Sequence, residues 1–280
     1  MKNSLKIILK KRLDRMSKQE VDELLNSCNK IRPLCVSFPY NEKDCLYFLG
    51  YRDGRLSAVL PLIYIDESLY ECTAWTHPEH RRKGCFKQLW QAALKHLPKE
   101  ASVQFINDEN SSLARLAAQS LNASKLNTQF LMELNLDLWE NSFLKKNSEA
   151  DKIRALISNF TIQIINVKAS GNGSPVSYLL QSEQGNDKLN LNAGAEIAEF
   201  STSSYLSEGI VYFYGFSINK GLRSRGLGLY IFCSIIQYLK EQNYKKIFLQ
   251  VEDSNTAAVK IYKNAGFFIA EAIEYHQLRT

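Results

Sequence analysis

The spacing of hydrophobic residues predicts an alternation of strands and helices along most of the chain. In the second half, β-branched and aromatic residues from Ile210 to Ile218 and from Ile247 to Val251 have the composition of strands. Between these strands, apolar residues recur at helical spacing and mark one buried face of a helix. These residues are Leu227, Ile231, Ile235 and Leu239.

The first half shows patterns of the same kinds. A capping box at Ser17 to Glu20 predicts the start of a helix. Asp53-Gly54 predicts a two-residue hairpin turn, because both residues tolerate positive φ. Further strands are predicted at Cys45 to Tyr51, Leu56 to Ile65, Leu69 to Trp75, Val103 to Ile106, Phe130 to Leu136, Phe267 to Ala272 and Tyr275 to Leu278. Further helices are predicted around Leu89 to Leu97, Ser111 to Leu121 and Ser254 to Ala265.

Two short motifs occur once in each half at a nearly constant offset. Arg81 and Arg223 are 142 residues apart (223 − 81), and Asn110 and Asn255 are 145 apart (255 − 110). The same order of strand, Arg/Gly loop, helix, strand and helix surrounds both pairs, which indicates an internal duplication. We therefore predict an α/β fold with mixed sheets, in two tandem domains at residues 1–140 and 141–280. The polar, lysine-rich stretch from Glu140 to Asp151 is the candidate linker.

Composition is that of an ordinary globular protein: 45% of the 280 residues are hydrophobic and 23% are charged. The net charge of +6 is mildly basic, and without a dense basic stripe it does not favour nucleic-acid binding. No apolar run approaches the length that spans a bilayer. Six cysteines without a C-x-x-C pair indicate free thiols, no metal site and a cytoplasmic location.

The loop from Arg223 to Gly228 is the strongest chemical motif, because it lies between a strand and an apolar-striped helix. Unpaired amides at a helix start can donate hydrogen bonds to a pyrophosphate, and arginines add positive charge. A P-loop would need Lys after the last glycine, where Leu229 stands, and a Rossmann loop would need a third glycine. The pyrophosphate of coenzyme A remains, beside the alternative of an ordinary surface turn.

A second motif follows, in which Asn255 stands at a helix start and Tyr262 seven residues later. Seven steps place both side chains on nearly the same helix face, two turns apart. An amide there can bind a cofactor arm, and a phenol can donate a proton to a leaving thiolate. The alternative is that Asn255 only caps the helix and Tyr262 only packs in the core.

Together the two motifs resemble the GNAT acetyltransferases over about residues 210 to 270, in the order Arg223-x-x-Gly226-x-Gly228, strand, Asn255 and Tyr262. The resemblance implies acetyl-CoA as co-substrate and direct attack by an amine on the thioester. It implies Tyr262 as the catalytic general acid. It implies cofactor contacts from Phe216, Ser217, Ile218, Arg223, Ser224, Arg225, Gly226, Leu227, Gly228 and Asn255, and a first strand that splays from its neighbour.

In the first half, the loop Pro78 to Phe86 resembles the same motif, but Phe86 replaces the final small residue. The position seven past Asn110 is Ala117, which cannot protonate a thiolate. The first domain is therefore predicted to be a degenerate GNAT domain beside a catalytic second one, an arrangement similar to that of tandem GNAT proteins such as mycothiol synthases.

The acceptor, the general base and the oligomeric state stay open at this point. The acceptor is expected to be a primary amine of a small molecule or peptide, with neither nucleic acid nor a membrane as partner, and the protein a monomer or homodimer. Carboxylates that could take the amine's proton are Glu199, Glu208, Glu252 and Glu274. The alternative function is a CoA-binding regulatory or scaffold protein without turnover. A basic nucleic-acid-binding protein is a weaker one.

Overall fold

The computed structural model describes residues 4–33, 35–140, 161–168, 175–205 and 208–280. The chain divides into two compact units, one of Met1–Gln129 with Ala272–Thr280 and one of Phe130–Glu271. The predicted linker lies almost wholly outside the described residues, so the domain boundary at residues 140 and 141 stays a prediction. No described helix is long and apolar enough to cross a membrane.

Unit 1 is a sheet with helices. Its elements are β1 (Lys6–Lys10), α1 (Arg15–Asn29), β2 (Cys45–Arg52), β3 (Arg55–Asp66), β4 (Leu69–Cys72), β5 (Trp75–Thr76), α2 (Cys85–Ala93), β6 (Ser102–Asp108), α3 (Ser112–Ser120), the start of β7 (Ser124–Asn135) and the end of β13 (Phe268–Arg279). The strand order is β1-β2-β3-β4-β6-β13, with β5 paired to β3. Only β4 and β6 are parallel among these pairs of described strands.

Unit 2 repeats this plan. Its elements are the end of β7, β8 (Ile162–Lys168), β9 (Val176–Ser182), β10 (Glu196–Tyr205), β11 (Ile210–Ile218), α4 (Gly228–Glu241), β12 (Lys246–Glu252), α5 (Thr256–Asn264) and the start of β13. The strand order is β8-β9-β10-β11-β12-β7, and β11 and β12 are parallel. The predicted class of mixed sheets in an α/β fold is confirmed. The predicted apolar stripe on α4 is buried, since all four of its residues are at most 1% exposed.

The hairpin prediction is confirmed, because Arg52 pairs with Arg55 and both Asp53 and Gly54 have positive φ. The capping box is wrong: Asp14 caps α1 by accepting a hydrogen bond from the Ser17 N–H at 2.8 Å. Ser17 itself is buried in the first turn.

Two predicted strand limits are also wrong. The strand predicted from Leu69 to Trp75 is broken after Cys72: both pieces pair with β3, but only β4 also pairs with β6. The two predicted closing strands are one strand, β13, since pairing with β6 continues through Glu274. The polar residues of β13 hid this continuity from the hydrophobic pattern.

Glu274 is the most buried carboxylate of unit 1, at 4% exposure. It accepts hydrogen bonds from Lys125 Nζ at 3.0 Å and from Arg115 Nε at 3.2 Å. Burial alone would raise the pKa of this carboxyl, but the bonds from Lys125 and Arg115 outweigh burial and lower it. The ion-paired carboxylate therefore stabilises the fold above its titration range and loses that effect in acid.

We predict that Glu274→Gln lowers the free energy of unfolding at pH 7 by about 2 kcal/mol, since hydrogen bonds to a charged group are lost. Because the folded-state pKa is below that of the unfolded chain, about 4.3, the deficit persists down to about pH 5 and shrinks below pH 4. Urea unfolding at a series of pH values measures it.

The control is Glu271→Gln, which neutralises a half-buried glutamate of the same strand that forms no ion pair among the described residues. We expect this variant to stay close to wild type. A Glu274→Gln deficit that is unchanged at pH 3 would contradict the role of the charge.

Candidate functional site

Strands β11 and β12 are paired for only about half of their length and then separate. Their pairing begins at Ile210 opposite Lys246 and, among the described residues, ends at Phe213 opposite Leu249. Both strands then continue, β11 for five residues and β12 for three. Since paired strands share backbone hydrogen bonds, the facing edges beyond Phe213 are left open to another molecule. We call this opening the unit 2 wedge, and it matches the predicted splay.

A β-bulge accompanies the opening of the wedge. The pairing of β10 with β11 shifts between Ser201 opposite Tyr214 and Glu199 opposite Ser217, so two residues of β11 oppose one of β10. One of these two is Gly215, with φ of 66°. A bulge bends its strand and increases the local twist, which turns the end of β11 away from β12.

Arg223 holds the loop after β11 to the end of that strand. Its Nε donates to the Ile218 carbonyl at 2.7 Å, and its Nη2 lies 3.2 Å from the Ser217 hydroxyl. Before it, Asn219 starts a 3-10 turn by accepting a hydrogen bond from the Gly221 N–H. The guanidinium thus bonds to β11, and the Ile218 carbonyl already has a hydrogen-bond partner.

The rest of the loop leads into α4, and two of its residues have left-handed backbone conformations. Ser224 and Gly226 have φ of 60° and 77°. Arg225 is anchored by donating from Nη1 to the Leu189 carbonyl at 3.2 Å. Among the described residues, no side chain caps α4, so the amides of its first turn keep their positive partial charge for an anion.

Gly228 serves helix packing. A Cβ built on it would lie 2.7 Å from Ile261 Cδ1 of α5 and 3.6 Å from Ile218 Cδ1 of β11. Its φ is not positive, so a side chain here would be opposed by the Ile261 methyl group and not by backbone strain, and the glycine allows α4 and α5 to approach closely.

The second motif lies on α5, as predicted. Asn255 caps the helix by accepting a hydrogen bond from the Ala258 N–H at 3.2 Å, and its exposed side chain keeps an amide NH₂ for another partner. Tyr262 is 8% exposed and packs on Phe232, with ring centroids 4.9 Å apart. Its hydroxyl has no hydrogen-bond partner among the described residues. Burial raises the pKa of Tyr262 to about 12, so the phenol carries its proton at neutral pH.

Unit 1 repeats the loop down to individual hydrogen bonds. Arg81 Nε donates to the Thr76 carbonyl at 3.2 Å, as Arg223 does to Ile218. Arg82 and Gly84 have φ of 61° and 75°, and α2 begins directly after Gly84 without a side-chain cap. The offset of 142 residues therefore marks positions of equal backbone conformation.

The same offset places Phe86 at the position of Gly228 (228 − 142). The Phe86 ring lies edge-on to Phe105, 6.4 Å between centroids, and Phe105 is the last β6 residue paired to β4. An aromatic ring therefore stands where the two strands of unit 1 begin to separate. At the end of β6, Asp108 is paired with Arg32.

The predicted equivalence of Asn110 and Asn255 is off by one residue. Ser111 is the residue that caps α3, by accepting a hydrogen bond from the Ala114 N–H. The cap positions are thus 144 residues apart (255 − 111), and Tyr262 corresponds to buried Ala118. Unit 1 lacks the phenol under either alignment.

The candidate bases differ sharply in location. Glu274 belongs to unit 1 and is ion-paired. Glu208 precedes the paired start of β11, at the end away from the wedge. Glu199 is exposed and pairs with Ser217 at the open end of β11, and Glu252 is exposed at the open end of β12. Glu252 therefore lies on the open part of β12, and Glu199 lies on the strand beside the open part of β11, a distinction that required strand register.

No group of three His, Cys, Asp or Glu side chains suited to a metal ion is found among the described residues. His77 and His80 lie in the unit 1 loop with ring centroids 5.6 Å apart.

Comparison with known families gives a match over most of the chain. The model of the acetyltransferase (GNAT) family matches residues 17–120 and again residues 131–267. A search of curated proteins gives no sequence match.

Several solved structures share the fold. A GCN5-related N-acetyltransferase from Sphaerobacter thermophilus has a TM-score of 0.59 at 12% identity, over 98% of this chain and 95% of that one. A tandem GNAT protein from the clavulanic acid biosynthesis pathway has a TM-score of 0.58 at 12% identity, over 99% and 98%. The GCN5-related glucosamine N-acetyltransferase region of a fungal multi-domain GH3 β-N-acetylglucosaminidase has a TM-score of 0.64 at 12% identity, over 98% and 38%. Identities this low establish the fold alone.

We predict that Gly226→Ala lowers the free energy of unfolding by about 1–2 kcal/mol, because a side chain at φ of 77° meets the backbone clash of the left-handed region. The matched control is Gly221→Ala in the same loop, where the nearest heavy atom is Asn219 Oδ1 at 3.5 Å and φ is not positive. The control should stay within about 0.5 kcal/mol of wild type in urea unfolding. Equal effects of the two substitutions would contradict the conformational requirement at Gly226.

Proposed function

Because the chain belongs to the GNAT acetyltransferase family, we propose that it is an acetyl-CoA-dependent N-acetyltransferase whose unit 2 carries out the reaction. Family membership supports an acyltransferase-type enzyme in general terms. The observation that supports the specific proposal is that unit 2 combines an opened strand pair, an uncapped helix start and a buried, protonated phenol. Unit 1 keeps the loop but has Phe86 and Ala118 in place of Gly228 and Tyr262.

The loop and the start of α4 suit a diphosphate. The first-turn amides of α4 donate hydrogen bonds, and the exposed Arg225 adds positive charge beside them. Ser224 and Gly226 shape the turn that aims these amides outward. Arg223 acts indirectly, because its side chain ties the loop to β11. In this role Arg223 is a positioning residue.

The unit 2 wedge suits an extended amide-containing arm. The edge of β11 beyond Phe213 offers backbone N–H and C=O groups, with Phe216 half-buried on the helix side against Phe232, 5.5 Å between centroids. Asn255 at the start of α5 can donate its amide N–H to the same arm. Bound there, acetyl-CoA supplies a thioester whose acyl carbon is the electrophile.

Tyr262 faces the leaving group in this proposal. With a pKa of about 12 it stays protonated at neutral pH. An ordinary thiol has a pKa of about 8.5, so complete transfer of the proton to a thiolate is uphill. The phenol therefore acts by donating a hydrogen bond to sulfur as negative charge develops, and solvent completes the protonation.

The acceptor is a primary amine of a small molecule or peptide that attacks directly. Its ammonium first gives one proton to a carboxylate at the wedge, Glu199 or Glu252. The nitrogen lone pair then bonds to the acyl carbon, the C–S bond breaks, and the nitrogen releases its second surplus proton. The products are an amide and a free thiol, and the carboxylate returns its proton to solvent.

We predict that Tyr262→Phe lowers kcat about 10²-fold, because the departing sulfur loses its hydrogen-bond donor. The affinity for CoA should be nearly unchanged, since the diphosphate is held by α4. A thiol-release assay with an amine panel and calorimetric titration of CoA measure the two quantities.

The control is Tyr238→Phe, which removes another half-buried phenol near the far end of α4 and should leave kcat unchanged. Full activity of Tyr262→Phe would remove Tyr262 from the mechanism. CoA binding without thiol release from any amine would favour a CoA-binding protein without turnover.

We predict that one CoA binds per chain, because Phe86 stands at the separation of the unit 1 strands. Arg225→Ala should then weaken CoA binding about tenfold, as one charge-assisted contact is lost. Lys83→Ala, the same position of the unit 1 loop (225 − 142), should leave it unchanged. Arg225→Lys, which keeps the charge, should retain most of the affinity. Two CoA sites by calorimetry, or equal effects of Arg225→Ala and Lys83→Ala, would contradict a single site in unit 2.

A further inference from the structure

The sheet face of unit 2 that points away from its helices carries two exposed tyrosines on β11. Phe213 between them is buried against Phe232 of α4, 5.3 Å between centroids. Because side chains alternate along a strand, Tyr212 and Tyr214 both point to the opposite face. Each is 42% exposed. Large apolar rings on an open sheet face are candidates for ligand contact.

These tyrosines lie on the part of β11 where its pairing with β12 ends. Phe248 of β12 stacks on Tyr212, with centroids 5.6 Å apart and an interplanar angle of 25°. Phe213 is the last β11 residue paired to β12, so Tyr214 is the first residue past the separation. The exposed ring of Tyr214 therefore adjoins the opening where the thioester would lie, on the face opposite α4 and Tyr262.

The charges near Tyr214 are negative on the strands at both sides of β11, with Glu199 on β10 and Glu252 on β12. Ser201 of β10 pairs with Tyr214. Glu199 is two residues from Ser201 along β10, so its side chain points to the same face of the sheet; the extra residue of the bulge is on β11. On β12, Glu252 is four residues from Phe248 and shares its face. Both glutamates are exposed. The basic group on this face of β12, Lys246, is ion-paired to Glu133 at 2.7 Å.

An aromatic platform beside carboxylates fits a cation with a flat apolar body. The ring of such a ligand stacks on tyrosine, and its ammonium is attracted to the carboxylates and to the aromatic faces. A strongly anionic acceptor would be repelled by the carboxylates of Glu199 and Glu252. An amino sugar such as glucosamine has no aromatic ring to stack on this face.

We propose that the acceptor of this enzyme is a primary amine carrying an aromatic ring two or three bonds from nitrogen. The ring rests on Tyr214, the ammonium contacts Glu199, and the nitrogen reaches the wedge from the face opposite α4. Glu199 is then the carboxylate that takes the first proton from the ammonium. This inference rests on the proposed acetyltransferase function and adds the chemical class of its acceptor.

The test compares 2-phenylethylamine, propylamine and glucosamine as acceptors in the thiol-release assay. We expect kcat/KM for 2-phenylethylamine to exceed that for propylamine at least about tenfold, because ring stacking and cation–π contact add to binding. Tyr214→Leu keeps an apolar side chain but removes the ring, and should abolish most of this preference while leaving propylamine turnover unchanged.

The matched control is Tyr64→Leu, which removes an equally exposed tyrosine from unit 1, at 43% exposure. It should change neither acceptor. Glu199→Gln should raise KM for both propylamine and 2-phenylethylamine and leave the calorimetric affinity for CoA intact. Glu271→Gln, a half-buried carboxylate elsewhere in unit 2, should leave both KM values unchanged.

A binding measurement separates this inference from the proposed function. Saturation-transfer NMR on the CoA-saturated protein should detect 2-phenylethylamine with wild type and much less with Tyr214→Leu, whether or not turnover occurs. Thiol release that shows no preference for 2-phenylethylamine, or prefers glucosamine, would overturn the aromatic acceptor and leave the acetyltransferase proposal standing. Ring-dependent binding without thiol release from any amine would overturn turnover and leave the aromatic site standing.

Discussion

The separation of β11 from β12 is the constraint on which the site depends. Breaking a parallel strand pair in the middle of a sheet leaves backbone N–H and C=O groups without partners, and such groups are costly when water is excluded. The bulge at Gly215 bends β11 away, and Arg223 ties the end of the strand to the next loop. A ligand with its own amides restores what the strands give up. The loop and the start of α4 follow directly from the end of β11 that borders this gap.

Comparison of unit 1 with unit 2 distinguishes the features of this arrangement that the fold needs from those proposed to serve the reaction. Both units keep the arginine that bonds back to the strand and the two left-handed residues before the helix. These features recur although unit 1 has no phenol, so they are requirements of the strand-to-helix turn. Gly228 and Tyr262 are the positions at which unit 2 differs, through Phe86 and Ala118 in unit 1. In the proposed function, Tyr262 is the one of these two residues tied to the reaction, whereas Gly228 differs through the packing of α4 on α5.

Features set by residues close together in the chain could be predicted from the sequence, whereas strand register and long-range side-chain contacts could not. The family, the mixed α/β fold and the placing of Asn255 and Tyr262 on one helix follow from short motifs and helical spacing, and the comparison with the GNAT family confirms the first of these. The choice among the glutamates required strand register, which pairs Glu199 with Ser217 across eighteen positions of chain. The bond from Arg223 to the Ile218 carbonyl, and its counterpart from Arg81 to the Thr76 carbonyl, became visible only in the structure, because residue types alone do not show where an arginine side chain points. The cap at Ser111 was missed because a repeated Asp-x-Asn triplet suggested an alignment one residue away.

The composition of unit 1 has a consequence for how the chain folds during synthesis. The strand beside β6 is supplied by residues 272–280, although every other part of unit 1 precedes residue 130. On the ribosome, one edge of β6 therefore stays unpaired until residues 272–280 have emerged, and Glu274 reaches Arg115 and Lys125 only then. Unit 1 thus cannot complete its sheet while unit 2 is being synthesised, although nearly all of its own residues have already been made.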